Sequence, residues 1–433
     1  MREMKNSGVA WIGEIPKDWS LVRFKDKYKN VKEIAKEQSA NYERLALTMG
    51  GVIKRPKDDS DGLQPKEFDS YQILRENDFV FKMIDLQNVS TSRVGFSPYT
   101  GLVSPAYIRF TPKNEGQYSQ FVYYYLMCLY YNQVFNNLGG NGVRSALSAK
   151  DMGEFVIPFP DAAEQKKICA LLDEKFAHVD SLIANVQAQI EKLKAYKQSL
   201  ITEVVTKGLD PNAPMKDSGV EWIGKIPAHW GTAKLQYCAE LRSGITLGKK
   251  YPKDIKLVER PYLRVANVQS GGVTLENIKT VQVTEEEDAQ YRLTAGEVLM
   301  TEGGDRDKLG RGCVWNGQIE PCLHQNHIFA LRTSKNLDPQ FLSYVTASKI
   351  GRVYFDITAI KTTNLACTNS SKVLAFKLPL PPITEQQRIT VYLNNKCSQI
   401  DSLISLKESK IEKLQQYKRS LIYEYVTGKK EVV

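Results

Sequence analysis

The chain has few features of a secreted or membrane protein. Its seven cysteines are scattered, odd in number and free of any Cys-x-x-Cys pair, which predicts a reduced protein rather than a disulfide framework. No apolar run reaches the length of about 18 residues that a membrane span needs. The first residues, MREMKNSGVAWIG, lack the apolar core of a secretory signal. Together these absences predict a cytoplasmic protein.

Catalytic motifs are also absent. The sequence has no Asn-Pro-Pro-Tyr/Phe or Asp-Pro-Pro-Tyr tetrad of an amino-methyltransferase and no phosphate-binding P-loop. The glycine-rich stretch 303–312 is not followed by Lys-Ser/Thr, so a turn or a loop against a phosphate backbone is the better interpretation. Asp161, Glu164 and Lys166 mimic a nuclease site, but their close spacing at a predicted helix start favours a helix cap. We therefore predict a chain without catalysis.

A metal site is not predicted either. Cys313, Cys322, His324 and His327 follow each other with a spacing that matches none of the usual structural zinc patterns. Buried cysteines and polar histidines at strand ends are the simpler interpretation.

Positive charge is in excess. The chain has 59 Lys and Arg against 49 Asp and Glu, a formal net charge of +10. Such an excess often indicates a polyanionic partner such as nucleic acid, because Lys and Arg neutralise phosphates and release counterions. A merely basic surface is the alternative.

The most informative feature is a long internal repeat. SGVAWIGEIPKDW (7–19) returns as SGVEWIGKIPAHW (218–230), identical at nine of thirteen positions, and we call these two segments the junction motif. IEKLKAYKQSLI (190–201) returns as IEKLQQYKRSLI (411–422). The period of over two hundred residues is far longer than the roughly 20–50 residues of a solenoid unit. The chain is therefore a duplicated two-part module with an internal pseudo-two-fold repeat.

Each repeat ends in a segment with the pattern of a long helix. Residues 161–207 and 384–427 contain no glycine, and each segment is followed by one, Gly208 or Gly428, a common helix stop. Apolar residues recur at alternating spacings of four and three, the heptad pattern of a coiled coil. We call these positions the seam, and they comprise Leu172, Phe176, Val179, Ile183, Ile190 and Leu193 in the first copy and Ile400, Ile404, Ile411 and Leu414 in the second.

The two helices are predicted to pair antiparallel. The second helix begins where the second middle segment ends, close to the place where the first helix stops. A parallel, in-register pair would also set Lys197 against Lys418 within the seam, a like-charge clash.

The segments between junction motif and helix hardly match each other. They run over about 20–159 and 231–380, and each predicts a mixed α+β fold of short strands with one aromatic helix, SQFVYYYLMCLYYNQVF or PQFLSYVTASKIGRVYF. A repeated scaffold that carries two divergent middle segments indicates that each middle segment recognises a different target.

These motifs identify a family resemblance. W-I-G-x-I-P-x-x-W, the P-x-P…E-Q-x-x-I helix start and the IEKL-x-x-YK-x-SLI helix, each present twice, resemble the specificity subunit of type I restriction-modification enzymes over nearly the whole chain. The resemblance implies that each middle segment is a target-recognition domain for one half of a split double-stranded DNA sequence. It implies that the antiparallel coiled coil fixes the spacer and docks two methyltransferase subunits, which restriction/translocase subunits join. It also implies that this chain binds no cofactor, and that S-adenosylmethionine, ATP and Mg²⁺ belong to partner subunits.

The expected fold class is α+β, with two globular target-recognition domains separated by two long helices that form an antiparallel coiled coil. The predicted segments are a first recognition domain with its junction motif (1–160), the first long helix (161–207), a linker with the second junction motif and second recognition domain (208–382), the second long helix (383–428) and a tail (429–433).

Residues that contact DNA are expected in loops. Arg and Lys suit guanine, Asn and Gln suit adenine, and apolar groups suit the thymine methyl. The predicted contact residues in the first middle segment are Lys54, Arg55, Gln87, Asn88, Arg93, Asn141 and Arg144. Those in the second are Arg264, Asn267, Gln269, Arg306, Lys308, Arg311, Lys361, Thr362 and Asn364.

Two other functions remain open on the sequence alone. One is a non-catalytic coiled-coil adaptor that bridges two protein partners, and the other is an autonomous enzyme. Binding to a duplex with two separated half-sites would favour the DNA-recognition subunit, binding to protein alone would favour the adaptor, and activity of the isolated chain would favour the enzyme.

Overall fold

The computed structural model describes residues 2–59, 67–86, 88, 91, 93–114, 119–138, 146–269, 271–304, 309–310, 312–361 and 366–432. The chain forms two compact units, Met1–Val186 with Glu408–Val433, and Gln187–Lys407. Each predicted long helix contributes to both units, so the units do not coincide with the predicted segments.

Unit 1 is built from short strands and helices before the first long helix. Its strands are β1 (Met4–Asn6), β2 (Glu14–Pro16), β3 (Ser20–Arg23), β4 (Tyr28–Asn30), β5 (Arg44–Thr48), β6 (Gly51–Arg55), β7 (Gln72–Leu74), β8 (Phe79–Phe81), β9 (Val94–Phe96), β10 (Gly101–Val103), β11 (Ile108–Pro112) and β12 (Val156–Phe159). Its helices are α1 (Phe24–Lys27), α2 (Gln120–Tyr131), α3 (Val134–Leu138), α4 (Ala149–Gly153) and the first part of α5 (Ala162–Lys207).

Unit 2 repeats this plan with more strands. They are β13 (Met215–Asp217), β14 (Lys225–Pro227), β15 (Gly231–Lys234), β16 (Ala239–Ser243), β17 (Val258–Leu263), β18 (Val268–Gln269), β19 (Gly272–Val273), β20 (Lys279–Val283), β21 (Val298–Thr301), β22 (Gly303–Gly304), β23 (Gly312–Val314), β24 (Leu323–His324), β25 (Ile328–Thr333), β26 (Ile360–Lys361), β27 (Ala366–Cys367) and β28 (Lys377–Leu380). The helices are α6 (Glu285–Tyr291), α7 (Pro339–Ala347), α8 (Lys349–Thr358), α9 (Ser370–Ala375) and α10 (Ile383–Val426), which continues into unit 1.

One antiparallel sheet has the same topology in both units. Its strand order is β4-β11-β8-β9 in unit 1 and β16-β25-β21-β23 in unit 2. The second strand in each order leads into the aromatic helix, α2 or α7. One central strand of each sheet, β8 (Phe-Val-Phe) or β21 (Val-Leu-Met-Thr), is buried throughout, which is why its sequence is a mostly apolar run rather than an alternating one. A common fold therefore underlies middle segments of unlike sequence.

The prediction of one aromatic helix per unit is wrong in one respect, because each is broken into two. In unit 1, Gln133 has a φ of 55° between α2 and α3. In unit 2, Ser348 is extended between α7 and α8 and is fully buried. Gly351 follows at a position where a Cβ would lie 2.2 Å from the Thr346 carbonyl oxygen, so the chain turns sharply there.

The two long helices are present, with 46 and 44 residues, and they pair antiparallel as predicted. Within unit 2, Lys407 donates to Gln189 at 2.5 Å and Lys197 to Asp401 at 2.7 Å, so the partner positions on α10 fall as those on α5 rise. All ten seam residues are buried or half-buried. None of the described helices is both long and apolar enough to cross a membrane.

The seam lysines take part in two copies of one ion pair. Lys418 binds Asp180 in unit 1 at 2.7 Å, and Lys197 binds Asp401 in unit 2 at 2.7 Å. Antiparallel pairing therefore separates the two lysines that a parallel pair would have brought together, and it gives each a carboxylate.

The junction motif clamps one end of each long helix to the opposite end of the other. In unit 1 the buried Trp19 ring donates through Nε1 to Glu164 near the start of α5 at 2.9 Å, and Gly428 after α10 lies against the same ring. A Cβ at Gly428, where φ is 68°, would lie 3.2 Å from that ring and 2.3 Å from Pro16. A glycine is therefore required at this helix end on grounds of both space and conformation.

Unit 2 repeats the clamp. Trp230 donates to Glu385 at 3.1 Å, and Gly208 after α5 would place a Cβ 3.2 Å from the Trp230 ring. Removing a buried tryptophan ring typically costs about 3–5 kcal/mol of stability. The motif occurs twice because each unit has one such pair of helix ends to join.

The two helix starts differ in their caps. The Asp161 side chain accepts from the Glu164 amide at 2.8 Å, as expected for a capping residue. The second helix begins at Ile383, the first residue of the predicted range 383–428, and the Gln386 backbone amide donates to the Pro382 carbonyl at 3.0 Å. Pro382 therefore stands immediately before α10, at the position that Asp161 takes before α5.

Candidate nucleic-acid interface

Predicted contact segments of the first middle segment converge on one surface of unit 1. The Tyr130 hydroxyl lies 3.2 Å from Met49 Sδ in the β5–β6 turn, and 3.2 Å from the Thr91 carbonyl oxygen between β8 and β9. Ile84 forms a β-bridge with Ala146, and the Leu147 amide donates to the Met83 carbonyl at 3.0 Å.

That surface has exposed apolar groups as well as polar ones. Met49 is 61% exposed and Ile84 is 43% exposed, and apolar side chains suit thymine methyl groups. Asn88 is exposed on the same β8–β9 segment. The predicted contact residues Gln87, Asn141 and Arg144 lie outside the described residues.

Lys54 and Arg55 lie away from the β5–β6 turn. Lys54 pairs across the ladder with Leu45, at the far end of the hairpin. Its ammonium lies 2.6 Å from the Glu43 carboxylate, which raises the pKa of Lys54, and 5.2 Å from the Tyr99 ring centroid. Arg55 forms an ion pair with Asp59 at 3.7 Å. Both side chains border a shallow basic cleft. Lys54 and Arg55 therefore belong to a different part of the surface from the turn that contains Met49.

The prediction that Arg93 contacts DNA does not agree with its burial. Its side chain is fully buried, and its guanidinium donates to four carbonyl oxygens of the β8–β9 segment. A guanidinium in that position cannot reach a base or a phosphate without leaving all four partners. Arg93 organises the segment from beneath, so it is not a contact residue here.

In unit 2, the prediction that Asn267 contacts DNA likewise does not agree with its burial. It is 2% exposed, its Nδ2 donates to the Thr274 carbonyl at 2.9 Å, and its Oδ1 accepts from the Arg264 amide at 2.9 Å. Its amide therefore closes the loop instead of facing solvent. Gln269 is exposed at the tip of the same loop, whereas Arg264 is half-buried and donates to the Asn277 carbonyl at 2.9 Å.

The other predicted segments of unit 2 emerge from one small sheet. In the order β22-β27-β26, Gly303 pairs with Cys367, and Lys361 pairs with Ala366. The strands β22, β26 and β27, next to which the predicted contact residues lie in the sequence, are therefore neighbours in one sheet. The predicted contact residues Arg306, Lys308, Arg311, Thr362 and Asn364 lie outside the described residues.

The four residues considered for a zinc site, Cys313, Cys322, His324 and His327, do not share one environment. Burial raises the pKa of the Cys313 and Cys322 thiols to about 12 and lowers the pKa of His324 to about 4. His327 is exposed and lies 2.6 Å from Glu302. No group of His, Cys, Asp and Glu suited to a metal ion occurs in the part of the chain that the structure describes.

The two long helices also share a set of solvent-facing residues that the sequence analysis did not single out. Four exposed or half-exposed positions on one face of α5 recur identically on α10, and we call them the duplicated stripe: Lys192, Tyr196, Ser199 and Glu203, with Lys413, Tyr417, Ser420 and Glu424. Tyr196 is 56% exposed and Tyr417 is 48% exposed. Packing in the seam explains why the apolar positions repeat, but it does not explain why outward-facing ones do. Comparing the two helix sequences at positions outside the seam would have revealed it.

Comparisons with known proteins agree with these observations. The sequence profile of the type I restriction modification DNA specificity domain matches residues 16–192. The specificity subunit of the type I restriction enzyme MjaVIII of Methanocaldococcus jannaschii is 26% identical, over 96% of this chain and 93% of that protein. The specificity subunit of the type I restriction enzyme EcoKI of Escherichia coli is 24% identical, over 87% and 82%.

A solved structure shares the fold. A chain from a study of complex assembly and conformational transition in the type I restriction-modification system aligns over 95% of this chain and 98% of its own length, with a TM-score of 0.65 and 16% identity. The repeated junction motifs and helices, the two α+β units and these matches support one assignment. Residues 16–192 therefore match the type I restriction modification DNA specificity domain, and nearly the whole chain is similar to specificity subunits of type I restriction enzymes.

Proposed function

We propose that this chain is the DNA sequence-recognition subunit of a type I restriction-modification complex. Each unit would bind one half of a two-part target, the paired long helices would set the spacer, and the chain itself would catalyse no reaction. The supporting observation is that two units of one fold carry unlike loops on a repeated scaffold. Repetition of the scaffold suits two equivalent tasks, and divergence of the loops suits two different base sequences.

The test is to express the chain with its methyltransferase partner and map the methylated positions across a genome. We expect one motif with two specified halves and an unspecified spacer of fixed length. A single continuous motif, or complex formation with proteins but no DNA specificity, would contradict the proposal and favour the adaptor function.

We further propose that the duplicated stripe docks two methyltransferase subunits, and that restriction/translocase subunits join that complex. One surface present twice suits two copies of one partner. An exposed tyrosine flanked by a lysine and a glutamate offers an aromatic anchor between opposite charges, and tyrosines are enriched among residues that dominate interfaces. S-adenosylmethionine, ATP and Mg²⁺ would be bound by those partners.

Truncating the stripe tyrosines is expected to remove the partners one at a time. Tyr196→Ala or Tyr417→Ala should leave one methyltransferase subunit bound, and the double variant none, at concentrations where the intact chain binds two. Losing an interface anchor of about 2 kcal/mol weakens binding roughly 30-fold. Native mass spectrometry of the complex measures the stoichiometry.

Tyr237→Ala is the matched control, since Tyr237 is 74% exposed and lies outside the repeats. It should retain both partners. If the double variant also binds two methyltransferase subunits with unchanged affinity, the stripe is not their docking surface.

A further inference from the structure

One buried side chain, that of Arg93, donates hydrogen bonds to four backbone carbonyl groups. Nη1 of Arg93 donates to the Lys82 and Ile84 carbonyl oxygens at 3.2 and 2.7 Å. Nη2 donates to the Asp85 and Asn88 carbonyl oxygens at 2.7 and 2.6 Å. All four acceptors belong to the segment that leaves β8, and Arg93 lies where the chain enters β9.

The backbone of this segment needs such support. Asp85 has a φ of 54°, a conformation uncommon for a residue other than glycine and maintained only when its surroundings enforce it. The carbonyl of Arg93 accepts from the Lys82 amide at 2.9 Å, so backbone and side chain of one residue close the loop together. A planar guanidinium offers several donors in fixed directions, whereas a lysine ammonium is a compact point charge on a flexible stem.

The segment that Arg93 holds contributes to the surface described above. Asn88 is exposed and its carbonyl oxygen accepts from the guanidinium, Ile84 bridges to Ala146, and the Thr91 carbonyl is near the Tyr130 hydroxyl. The position of each depends on how the loop is folded underneath.

We propose that Arg93 is a positioning residue for DNA readout. Arg93 does not touch DNA itself, but it holds the backbone of Lys82, Ile84, Asp85 and Asn88 in the shape with which this surface reads one half-site. This inference rests on the proposed function. Loss of the guanidinium should let the loop adopt other conformations, so bases at one half-site would be distinguished less well. Phosphate contacts would be kept, because the buried side chain makes none.

The experiment uses the full complex with its methyltransferase partner and compares Arg93→Lys and Arg93→Met with the intact chain. Two duplex libraries, each randomised in one half-site, are methylated and sequenced. Both variants should lose about tenfold or more of their base discrimination at one or more positions of the half-site that residues 20–159 recognise. Discrimination at the other half-site should stay unchanged, which makes it an internal control for folding and assembly.

Salt dependence separates positioning from direct contact. The slope of log affinity against log salt should be the same for Arg93→Met and the intact chain, since losing one phosphate contact would make it shallower by about one unit. Arg23→Lys, at a half-exposed side chain in unit 1, serves as the control substitution and should change neither property.

Three results would overturn the inference. The first is discrimination kept within about twofold at both half-sites, which is under 0.5 kcal/mol on the scale where 1.4 kcal/mol is tenfold. The second is a shallower salt slope with discrimination retained. The third is loss of protease resistance of unit 1 in both variants, which would make Arg93 a general stability residue. Failure of the intact complex to show any two-part motif would instead refute the proposed function.

Discussion

A chimera in which residues 20–159 are replaced by the corresponding segment of another specificity subunit is expected to recognise a DNA target changed in one half-site only. The structure makes this exchange favourable because the two ends of the segment meet. Ser20 pairs with Phe159 in the β3–β12 ladder, and the Ser20 hydroxyl donates to the Phe159 carbonyl at 3.0 Å. The second segment is closed in the same way, with Gly231 paired to Leu380.

The chimera also has to fit the scaffold beneath it. Phe121 packs edge-on against Trp19 at 6.0 Å, and Tyr124 contacts Phe176 of α5 at 5.6 Å. A donor segment with aromatic residues at these two positions keeps that contact, so the exchange should cost little stability.

Mapping of methylated positions measures the result, and the reciprocal exchange of residues 231–380 is the matched control. Each chimera should change the half-site that the other leaves intact. A change in both half-sites after either exchange would show that the units do not recognise DNA independently.

The scaffold was predictable from sequence because it follows from periodicity and repetition. A heptad pattern sustained without glycine over about 45 residues has few structural solutions. The chain order then required the second helix to run back along the first. The lysines at seam positions pointed to the same answer, since a parallel pair would have set Lys197 against Lys418. In the structure each of them binds an aspartate instead.

The recognition surface was less predictable, because the residue types that read bases also stabilise loops. Arg93 and Asn267 have the chemistry of DNA contacts, yet both are buried and hydrogen-bonded to backbone carbonyls. Their burial depends on packing between distant segments, and no local pattern reports it. The break at Ser348 depends likewise on tertiary packing around the end of α7, where helix propensity favoured continuation.

The register of the two helices allows the spacer to be changed without breaking existing contacts. By the pairing of Lys197 with Asp401 in unit 2, residues 191–197 of α5 lie along residues 401–407 of α10. A second copy of EKLKAYK after Lys197 and of DSLISLK after Lys407 adds one heptad to each helix and keeps the seam in phase. Every present pair is retained, and one further Lys–Asp pair is added.

This insertion is expected to lengthen the preferred spacer of the DNA target by up to about three base pairs. Seven residues add about 10 Å at 1.5 Å per residue, and one base pair spans about 3.4 Å of B-DNA. Both half-site sequences should stay the same, because no recognition loop is altered. Methylation should be slower, since three base pairs rotate one half-site by about a third of a helical turn relative to the other.

Methylation of a library in which the spacer varies between fixed half-sites measures the shift. The matched control carries the insertion in α5 alone, which moves the residues after Lys197 one heptad out of register with α10. That control should lose activity or stability, because the end of α5 is then displaced from the start of α10, where Trp230 contacts both Gly208 and Glu385. If the double insertion yields a stable, active complex with an unchanged preferred spacer, the paired helices do not set the distance between half-sites. Such a result would leave recognition by two units intact. The spacer length would then have to be set by the orientation in which each unit binds DNA.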